Sequence, residues 1–165
     1  MTSEHLLHTI PPIYDGNSKI LILGSFPSVK SREVSFYYGH PQNRFWRVLA
    51  AVLGCAVPSS NEEKTALLKS HNIALWDVIK SCDIVGSSDS SIKNVVPNDI
   101  GVILSSCGIR QIYSNGKTSE KLFNKYIKDT VGRDTVALPS TSPANASYNL
   151  ERLTDSWSVI KNNIR

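Results

Sequence analysis

The sequence lacks the features that mark several common classes of protein. It has no apolar run long enough to cross a bilayer, and residues 1–12 lack the basic start and apolar core of a signal peptide. Its three cysteines, Cys55, Cys82 and Cys107, are far apart and form no C-x-x-C pair. The four histidines show no metal-ligand spacing. We therefore expect a cytoplasmic protein with reduced thiols, no membrane partner and no metal.

Motifs of the common nucleotide and hydrolase sites are also missing. The chain contains no G-x-G-x-x-G and no G-x-x-x-x-G-K-[ST], which argues against a dinucleotide cofactor or an NTPase. It has no G-x-S-x-G, so a serine hydrolase of that type is not indicated. The sequence accordingly implies no cofactor.

Length and charge favour a small folded domain. We expect residues 1–165 to form one domain and one monomer, with residues 1–18 as a polar lead-in. The formal charge of +4 is compatible with a polyanionic partner but does not require one.

Apolar strand patterns alternate with amphipathic helix patterns along the chain. This order predicts an α/β fold with three α/β/α layers around a central four-stranded, mostly parallel sheet. The predicted strands are 19–23, 73–79, 109–113 and 135–138. The predicted helices are 45–53, about 61–71, 100–106, 120–128 (capped by Thr118) and 150–164. The polar stretch 81–94 is predicted to be a loop.

Each predicted strand is followed by an unusual polar turn. These turns are GSFPS (24–28), the segment at Asp77, Ser114-Asn115-Gly116, and PSTSPANA (139–146). The carboxyl ends of parallel strands share one edge of a sheet, so the four segments should meet at one cleft. The simpler interpretation is that loops of α/β proteins are often rich in Gly, Pro and Ser.

Two of these segments resemble the uracil-DNA glycosylase superfamily. The stretch 24–46, GSFPSVKSREVSFYYGHPQNRFW, is similar to its first active-site segment, and 139–146 is similar to its second. Residues 73–94 and YSNGKTS (113–119) resemble the DNA-deoxyinosine (hypoxanthine-DNA) glycosylases of that superfamily. The resemblance covers about 19–150.

This resemblance implies a monofunctional DNA glycosylase of base excision repair. Such an enzyme extrudes a deaminated base from DNA and hydrolyses its N-glycosidic bond, and hypoxanthine is the preferred candidate with uracil second. Its partner is DNA that contains deaminated bases, acted on in the cytoplasm at a bacterial or archaeal nucleoid. Two other classes stay open: a non-catalytic nucleic-acid binding module, and a small-molecule nucleoside or nucleotide N-glycosidase.

The chain departs from related enzymes at two positions. Phe26 stands where relatives carry a catalytic aspartate or asparagine, and Leu138 stands where they carry a histidine. The resemblance to deoxyinosine glycosylases implies that Asn43 takes over the water-positioning role, through its carbonyl oxygen. The alternative is that Asn43 caps the helix that begins at Arg44 or Phe45.

The remaining candidates fall into a base pocket and a DNA-contacting surface. Phe26 is expected to stack on the extruded base or to pack in the core. Asp77 is expected to accept from a ring N–H of the base or to form a strand-end cap or ion pair. Gly24, Ser25 and Asn115 complete the base site, and Tyr37 and Tyr38 either shape the pocket or anchor the loop. The expected DNA contacts are Ser28, His40, Arg44, Lys117, Ser140, Ser142, Pro143 and Ala144, with Lys30 and Arg32 as further basic candidates.

Overall fold

The most apolar runs of the chain form a parallel sheet at the centre of the molecule. The structure is a computed structural model that describes residues 2–165. The sheet has the order β3-β2-β6-β7, and all three pairings are parallel. Its strands are β2 (Ile20–Gly24), β3 (Ile73–Asp77), β6 (Gln111–Asn115) and β7 (Thr135–Leu138). The predicted α/β fold with a four-stranded, largely parallel sheet is confirmed.

Among residues 2–165, seven helices connect or flank the strands. They are α1 (Val29–Val34), α2 (Phe45–Leu53), α3 (Asn61–Ser70), α4 (Gly101–Ser106), α5 (Lys117–Tyr126), α6 (Lys128–Val131) and α7 (Leu150–Trp157), with 3₁₀ segments at Asp89–Ser91 and Ser158–Asn162. The helix α2 has the predicted bounds and ends at Gly54, whose φ of 70° is the left-handed conformation that glycine adopts without strain. Within residues 2–165, no helix combines the length and apolar character that a bilayer crossing requires.

Side chains of β2 alternate between two hydrophobic cores. Ile20 and Ile22 pack into one core with Phe45 of α2 and Trp157 of α7. Leu21 and Leu23 point to the other face, where the second core holds Ile103 of α4 and Phe123 of α5. Burial on both faces explains why this strand is a continuous apolar run.

A second sheet, which the sequence did not predict, packs beside the first. It is antiparallel, in the order β1-β4-β5, with β1 at Glu4–Leu7, β4 at Ile79–Ile84 and β5 at Lys93–Pro97. The prediction of a polar loop over 81–94 was therefore wrong for β4 and the start of β5. Register shifts in the β4–β5 pairing obscure the two-residue alternation that would have indicated these strands.

The N-terminal segment is also more structured than a polar lead-in. Residues 4–7 form β1, and Ile10 and Ile13 are buried in the first core. Segment 29–34 forms the short helix α1, capped by the Ser28 side chain, which accepts from the Ser31 amide. Both elements are too short to give a clear periodic signal in the sequence.

Several boundaries differ from the predictions by a few residues. Strand β6 continues to Asn115, and α5 begins directly after Gly116, whose φ is 95°, instead of after Thr118. The sequence also offers Asn98 or Asp99 as the cap of α4, but no side chain caps this helix. The Asn98 side chain is buried and donates to the carbonyl oxygens of Asp77 (2.9 Å) and Ile79 (3.1 Å), so it joins the two sheets.

Asn72 connects the turn before β3 to the C-terminal segment, and this contact gives a test of the fold. Its φ is 62°, and its Nδ2 donates to the Ile164 carbonyl oxygen over 2.8 Å. Both Asn72→Gly and Asn72→Ala lose the hydrogen bond, but alanine also pays about 1–2 kcal/mol for the left-handed backbone. In urea denaturation, we expect the alanine variant to be less stable than the glycine variant by about 1 kcal/mol. Equal stabilities would contradict this account.

Candidate active site

A deep cleft opens at the carboxyl edge of the parallel sheet, where the sequence predicts that the strand ends converge. Its cavity has a volume of about 700 Å³. Of the predicted site residues, only Arg44 and the further basic candidates Lys30 and Arg32 do not line this cavity. The residues that line it are Gly24, Ser25, Phe26, Ser28, Tyr37, Tyr38, His40, Asn43, Asp77, Asn115, Lys117, Ser140, Ser142, Pro143 and Ala144. The topology of a parallel sheet thus brings distant segments of the chain to one site.

One buried hydroxyl, that of Thr141, links two of these segments. The Thr141 Oγ1 lies 2.9 Å from Asn43 Oδ1 and 3.0 Å from Asn115 Nδ2, and the residue is fully buried. The Thr141 amide donates to Asn115 Oδ1 over 3.0 Å, while Asn43 Oδ1 also accepts from the Phe45 amide over 2.9 Å. We call Asn43, Thr141 and Asn115 the amide–hydroxyl network.

Backbone groups fix the direction of every hydrogen bond in the amide–hydroxyl network. A backbone N–H can only donate, so the Phe45 amide must face the oxygen of Asn43, and the Thr141 amide must face the oxygen of Asn115. The Thr141 hydroxyl therefore accepts from Asn115 Nδ2 and donates to Asn43 Oδ1. Neither amide can flip without losing a bond to a backbone donor.

This orientation decides whether the oxygen or the nitrogen of the Asn43 amide is free to form hydrogen bonds in the cleft. Its carbonyl oxygen has two lone pairs, and both are engaged by the Phe45 amide and the Thr141 hydroxyl. The expectation that this oxygen orients a water molecule therefore does not fit the geometry. The Asn43 Nδ2 has no hydrogen-bond partner among residues 2–165, so the cleft receives N–H donors from Asn43. The alternative capping bond is present as well, because the Phe45 amide lies in the first turn of α2.

Asp77 lies at the end of β3 and makes the kind of paired contact that the sequence analysis gave as its alternative role, with a partner, His8, that the sequence did not indicate. Its Oδ2 is 2.8 Å from His8 Nε2, and the two side chains are 5% and 1% exposed. Its Oδ1 lies against the backbone of Gly24, so close that a Cβ at position 24 would overlap it. The carboxylate therefore has one oxygen occupied by His8 and the other at the floor of the cleft.

Phe26 forms an aromatic surface of the cleft and also packs against its surroundings. The ring is partly buried against the second core. The imidazole of His8 meets it edge-on at 6.0 Å, and the Arg32 guanidinium carbon lies 5.8 Å from its centre. Both the stacking and the packing role considered for Phe26 are thus compatible with its position.

The two tyrosines differ in what their hydroxyl groups contact. Tyr37 donates to the carbonyl oxygens of Pro11 (2.9 Å) and Ile10 (3.3 Å), which ties the loop to the N-terminal segment. Tyr38 stacks on Phe45 at 4.1 Å, and its buried hydroxyl has no partner among residues 2–165. Burial raises the pKa of Tyr38, and the charge of Asp77 raises it further. The phenol is therefore protonated at neutral pH and is available as a donor.

Arg44 stabilises the loop 139–148 through hydrogen bonds to its backbone, and we call this set of contacts the brace. Its guanidinium donates to the carbonyl oxygens of Ser142 (2.9 Å), Asn145 (3.1 Å) and Tyr148. Its own amide donates to the Thr141 carbonyl oxygen over 3.1 Å. The expectation that Arg44 contacts phosphate is therefore corrected, because its donors are directed at the protein backbone. Sequence reasoning could not foresee this, since the partners lie about 100 residues away.

The loop 139–148 also has internal hydrogen bonds. Ser140 Oγ accepts from the Ser142 amide (3.1 Å), and Ser142 Oγ accepts from the Ala144 amide (3.2 Å). The Asn145 side chain donates to the Ser140 carbonyl oxygen over 3.0 Å. The loop is thus a defined wall of the cleft.

Other basic residues lie at different places around the cleft. Lys117 is exposed at the start of α5. His40 is exposed, and its Nδ1 accepts from the Gln42 amide over 3.0 Å, which leaves Nε2 available to donate. Arg32 instead donates to the Gly86 carbonyl oxygen over 3.2 Å and holds the loop that follows β4. Lys30 lies 3.7 Å from Glu33, on the exposed surface of α1.

Sequence reasoning missed His8, Thr141 and one wall of the cleft. That wall is formed by residues 87–90 and Thr118. His8 carried no local signal, because its contact with Asp77 spans 69 positions. Thr141 lies within the recognised PSTSPANA segment, but composition cannot tell which hydroxyl points inward. Across residues 2–165, no group of three His, Cys, Asp or Glu side chains is arranged to hold a metal ion.

Comparisons with known proteins agree with this geometry. Residues 11–162 match the family model of the uracil DNA glycosylase superfamily. The chain is 36% identical to a hypoxanthine DNA glycosylase of Methanosarcina barkeri over 137 residues, 82% of this chain and 85% of the relative. It is 34% identical to a hypoxanthine DNA glycosylase of Methanosarcina acetivorans over 152 residues, 91% and 94% of the two chains.

A solved structure has the same fold. It is a solution NMR structure of a candidate uracil DNA glycosylase from Methanosarcina acetivorans, with a TM-score of 0.79 and 34% identity, covering 92% of this chain and 94% of that one. The family match spans the cleft segments from Gly24 to Ala144. On these grounds the chain belongs to the uracil DNA glycosylase superfamily.

Proposed function

We propose that the protein is a monofunctional DNA glycosylase that removes a deaminated base, with hypoxanthine preferred and uracil second. The observation that carries this proposal is the single cleft that combines an aromatic face, a buried carboxylate and directed amide donors. Relatives at 34–36% identity are named hypoxanthine DNA glycosylases, which favours hypoxanthine. The protein acts as a monomer on DNA in the cytoplasm, at the nucleoid.

The base pocket is assigned to Phe26, Asp77 and Asn115. A base that leaves the helix loses its stacking partners, and the Phe26 ring supplies an aromatic face in their place. Asp77 Oδ1 accepts from the ring N–H that hypoxanthine carries at N1 and uracil carries at N3. Adenine presents a lone pair at N1 and would leave the carboxylate without a donor, which disfavours the normal purine.

Asn43 acts as a donor that holds the attacking water. Its Nδ2 faces the cleft, and a water molecule can accept from it while a second lone pair faces the anomeric carbon. The C–N bond breaks with its electron pair passing to the base, the water oxygen bonds to the anomeric carbon, and one water proton is released to the base. The positive charge that develops on the sugar is stabilised by the DNA phosphates. Such a step requires a positioned water but no strong base.

DNA is held at the rim of the cleft by exposed groups. Lys117 and His40 supply positive charge or N–H donors, and Ser28, Ser140, Ser142, Pro143 and Ala144 form small surfaces beside the backbone. Contacts of this kind fix the position of the duplex without reading its sequence.

Replacing Asn43 tests the proposed chemistry. In Asn43→Ala, single-turnover release of hypoxanthine should fall at least about ten-fold, because one positioned group at the reacting centre is lost. Binding to deoxyinosine-containing DNA should change little. Release is measured as abasic sites that alkali cleaves in labelled oligonucleotides.

The matched control for Asn43 separates catalysis from helix capping. Serine keeps a side-chain oxygen that can accept from the Phe45 amide but has no amide donor. Asn43→Ser should therefore be more stable than Asn43→Ala and equally slow. A serine variant that releases base at the wild-type rate would assign Asn43 to capping alone.

A panel of substrates separates the three classes of function. A DNA glycosylase leaves abasic sites in oligonucleotides that contain inosine, uracil or xanthine. A nucleoside N-glycosidase acts on free deoxyinosine, and a binding module without chemistry acts on neither.

A second pair of variants tests the amide–hydroxyl network. Thr141→Val keeps the shape of the side chain but removes the hydroxyl, so Asn43 Oδ1 loses one of its two donors and Asn115 Nδ2 loses its acceptor. We expect a loss of about 1–3 kcal/mol in the free energy of unfolding, together with slower base release. Thr141→Ser keeps the hydroxyl and should retain most of the stability and most of the rate of base release. Urea denaturation and single-turnover rates measure the two effects, and equal behaviour of the valine and serine variants would argue against the network.

Charge at the rim of the cleft is tested by salt dependence. Lys117→Gln should weaken binding to damaged and undamaged DNA alike, and it should reduce the slope of log affinity against log salt concentration by roughly one. Lys161 is the control, because it lies in the C-terminal 3₁₀ segment near the opposite edge of the sheet. Lys161→Gln should change neither quantity. A loss that is confined to damaged DNA would show that Lys117 contacts the base instead of the phosphates.

A further inference from the structure

His8 lies outside the part of the chain that matches the family model, yet its ring contacts Asp77, which lines the cleft. The match begins at residue 11. The His8 imidazole is 1% exposed and its Nε2 is 2.8 Å from Asp77 Oδ2. Burying a carboxylate costs free energy unless the carboxylate is paired, so the hydrogen bond from His8 stabilises Asp77 in its buried position.

Three separate contacts fix the position of the His8 ring. The His8 amide donates to the Lys80 carbonyl oxygen over 2.7 Å, which extends the pairing of β1 with β4. The ring meets Phe26 edge-on at 6.0 Å and lies 6.1 Å from the ring of Tyr37. His8 does not itself line the cleft, so any influence on a bound base must pass through Asp77.

The surroundings of Asp77 leave its carboxylate little freedom. His8 holds Oδ2, and the backbone of Gly24 lies directly against Oδ1. The unpaired Tyr38 hydroxyl approaches the same point, since it would be 3.0 Å from a Cβ at position 24. Without the bond to His8, the carboxylate could rotate about its Cβ–Cγ bond and present either oxygen, or neither, to the cleft.

We infer that His8 is a specificity-determining positioning residue that holds Asp77 with one carboxylate oxygen directed at the ring N–H of the extruded base. The inference deepens the proposed function and rests on it. With Asp77 as a carboxylate, His8 carries its hydrogen on Nε2 and donates it to Oδ2. Oδ1 is then the acceptor that hypoxanthine satisfies.

The test is a double-mutant cycle between His8 and Asp77 in single-turnover assays on deoxyinosine-containing duplexes. His8→Leu removes the donor at similar volume and should slow hypoxanthine release at least about ten-fold, the lower end of the effect of losing an orienting hydrogen bond. In the Asp77→Ala background, the same change should cause no further loss, because its route to the base is gone. His8→Gln retains a side-chain N–H donor and should recover most of the wild-type rate.

The protein offers a matched control in a second histidine–aspartate pair. His5 Nδ1 lies 2.7 Å from Asp83 Oδ1 on β1 and β4, but these side chains are 62% and 29% exposed and lie away from the cleft. His5→Leu should leave the rate unchanged. Affinity for a duplex with an abasic-site analogue should be the same for wild type and His8→Leu, since no base is present for Asp77 to contact.

Nitrogen NMR of the wild-type protein gives a measurement that does not depend on a variant folding. The His8 ring should be protonated at Nε2, and its Nε2 signal should shift more on binding a duplex with a non-hydrolysable deoxyinosine analogue than on binding the abasic analogue. A ring that is unprotonated at Nε2 would overturn the inference.

The outcomes separate the two proposals. If the wild-type protein releases no base, the proposed function fails and this inference fails with it. If release depends on Asn43 but a folded His8→Leu variant reaches the wild-type rate, only the role of His8 is overturned. The role of His8 is also overturned, and the proposed function is kept, if His8→Leu slows the Asp77→Ala protein as much as it slows the wild type.

Discussion

The hydroxyl of Thr141 is the contact through which the two halves of the cleft are joined. It receives a hydrogen bond from Asn115 at the end of β6 and donates one to Asn43 before α2. Because the group is fully buried, its loss would leave the Asn115 amide nitrogen without its protein acceptor and remove one of the two donors to Asn43 Oδ1. Together with the hydrogen bonds of Arg44 to residues 141–148, this contact sets the position of segment 24–46 relative to segment 139–146.

Around this contact, the parallel sheet supplies the positions and the loops supply the chemistry. Gly24, Asp77 and Asn115 are the last residues of β2, β3 and β6, and Leu138 ends β7 beside Asn115. Their register places them at one edge, as the rule for open α/β sheets requires. Leu138 itself is buried in the first core, so this strand end offers no polar side chain to the cleft. A histidine does reach the cleft region, but it comes from the N-terminal segment.

What the sequence predicts well depends on local physical signals. The bounds of α2 follow from an amphipathic run that ends at a left-handed glycine, and the strand-end cleft follows from the alternation of strands and helices. The second sheet gives no comparable signal, because register shifts interrupt β4 and β5. His8 and the brace by Arg44 depend on contacts across 69 and about 100 positions, which no local pattern records. The orientation of the Asn43 amide also needed three-dimensional information, since only its hydrogen-bond partners decide which way the oxygen points.

The hydrogen bonds of Arg44 have a consequence for the electrostatics of the loop 139–148. Three carbonyl oxygens of residues 142, 145 and 148 are turned towards its guanidinium. Peptide oxygens carry partial negative charge, and here the positive guanidinium balances three of them, so they add less negative potential to the surface of the loop. The same hydrogen bonds tie three peptide units to one side chain, which limits the conformations that the loop can adopt.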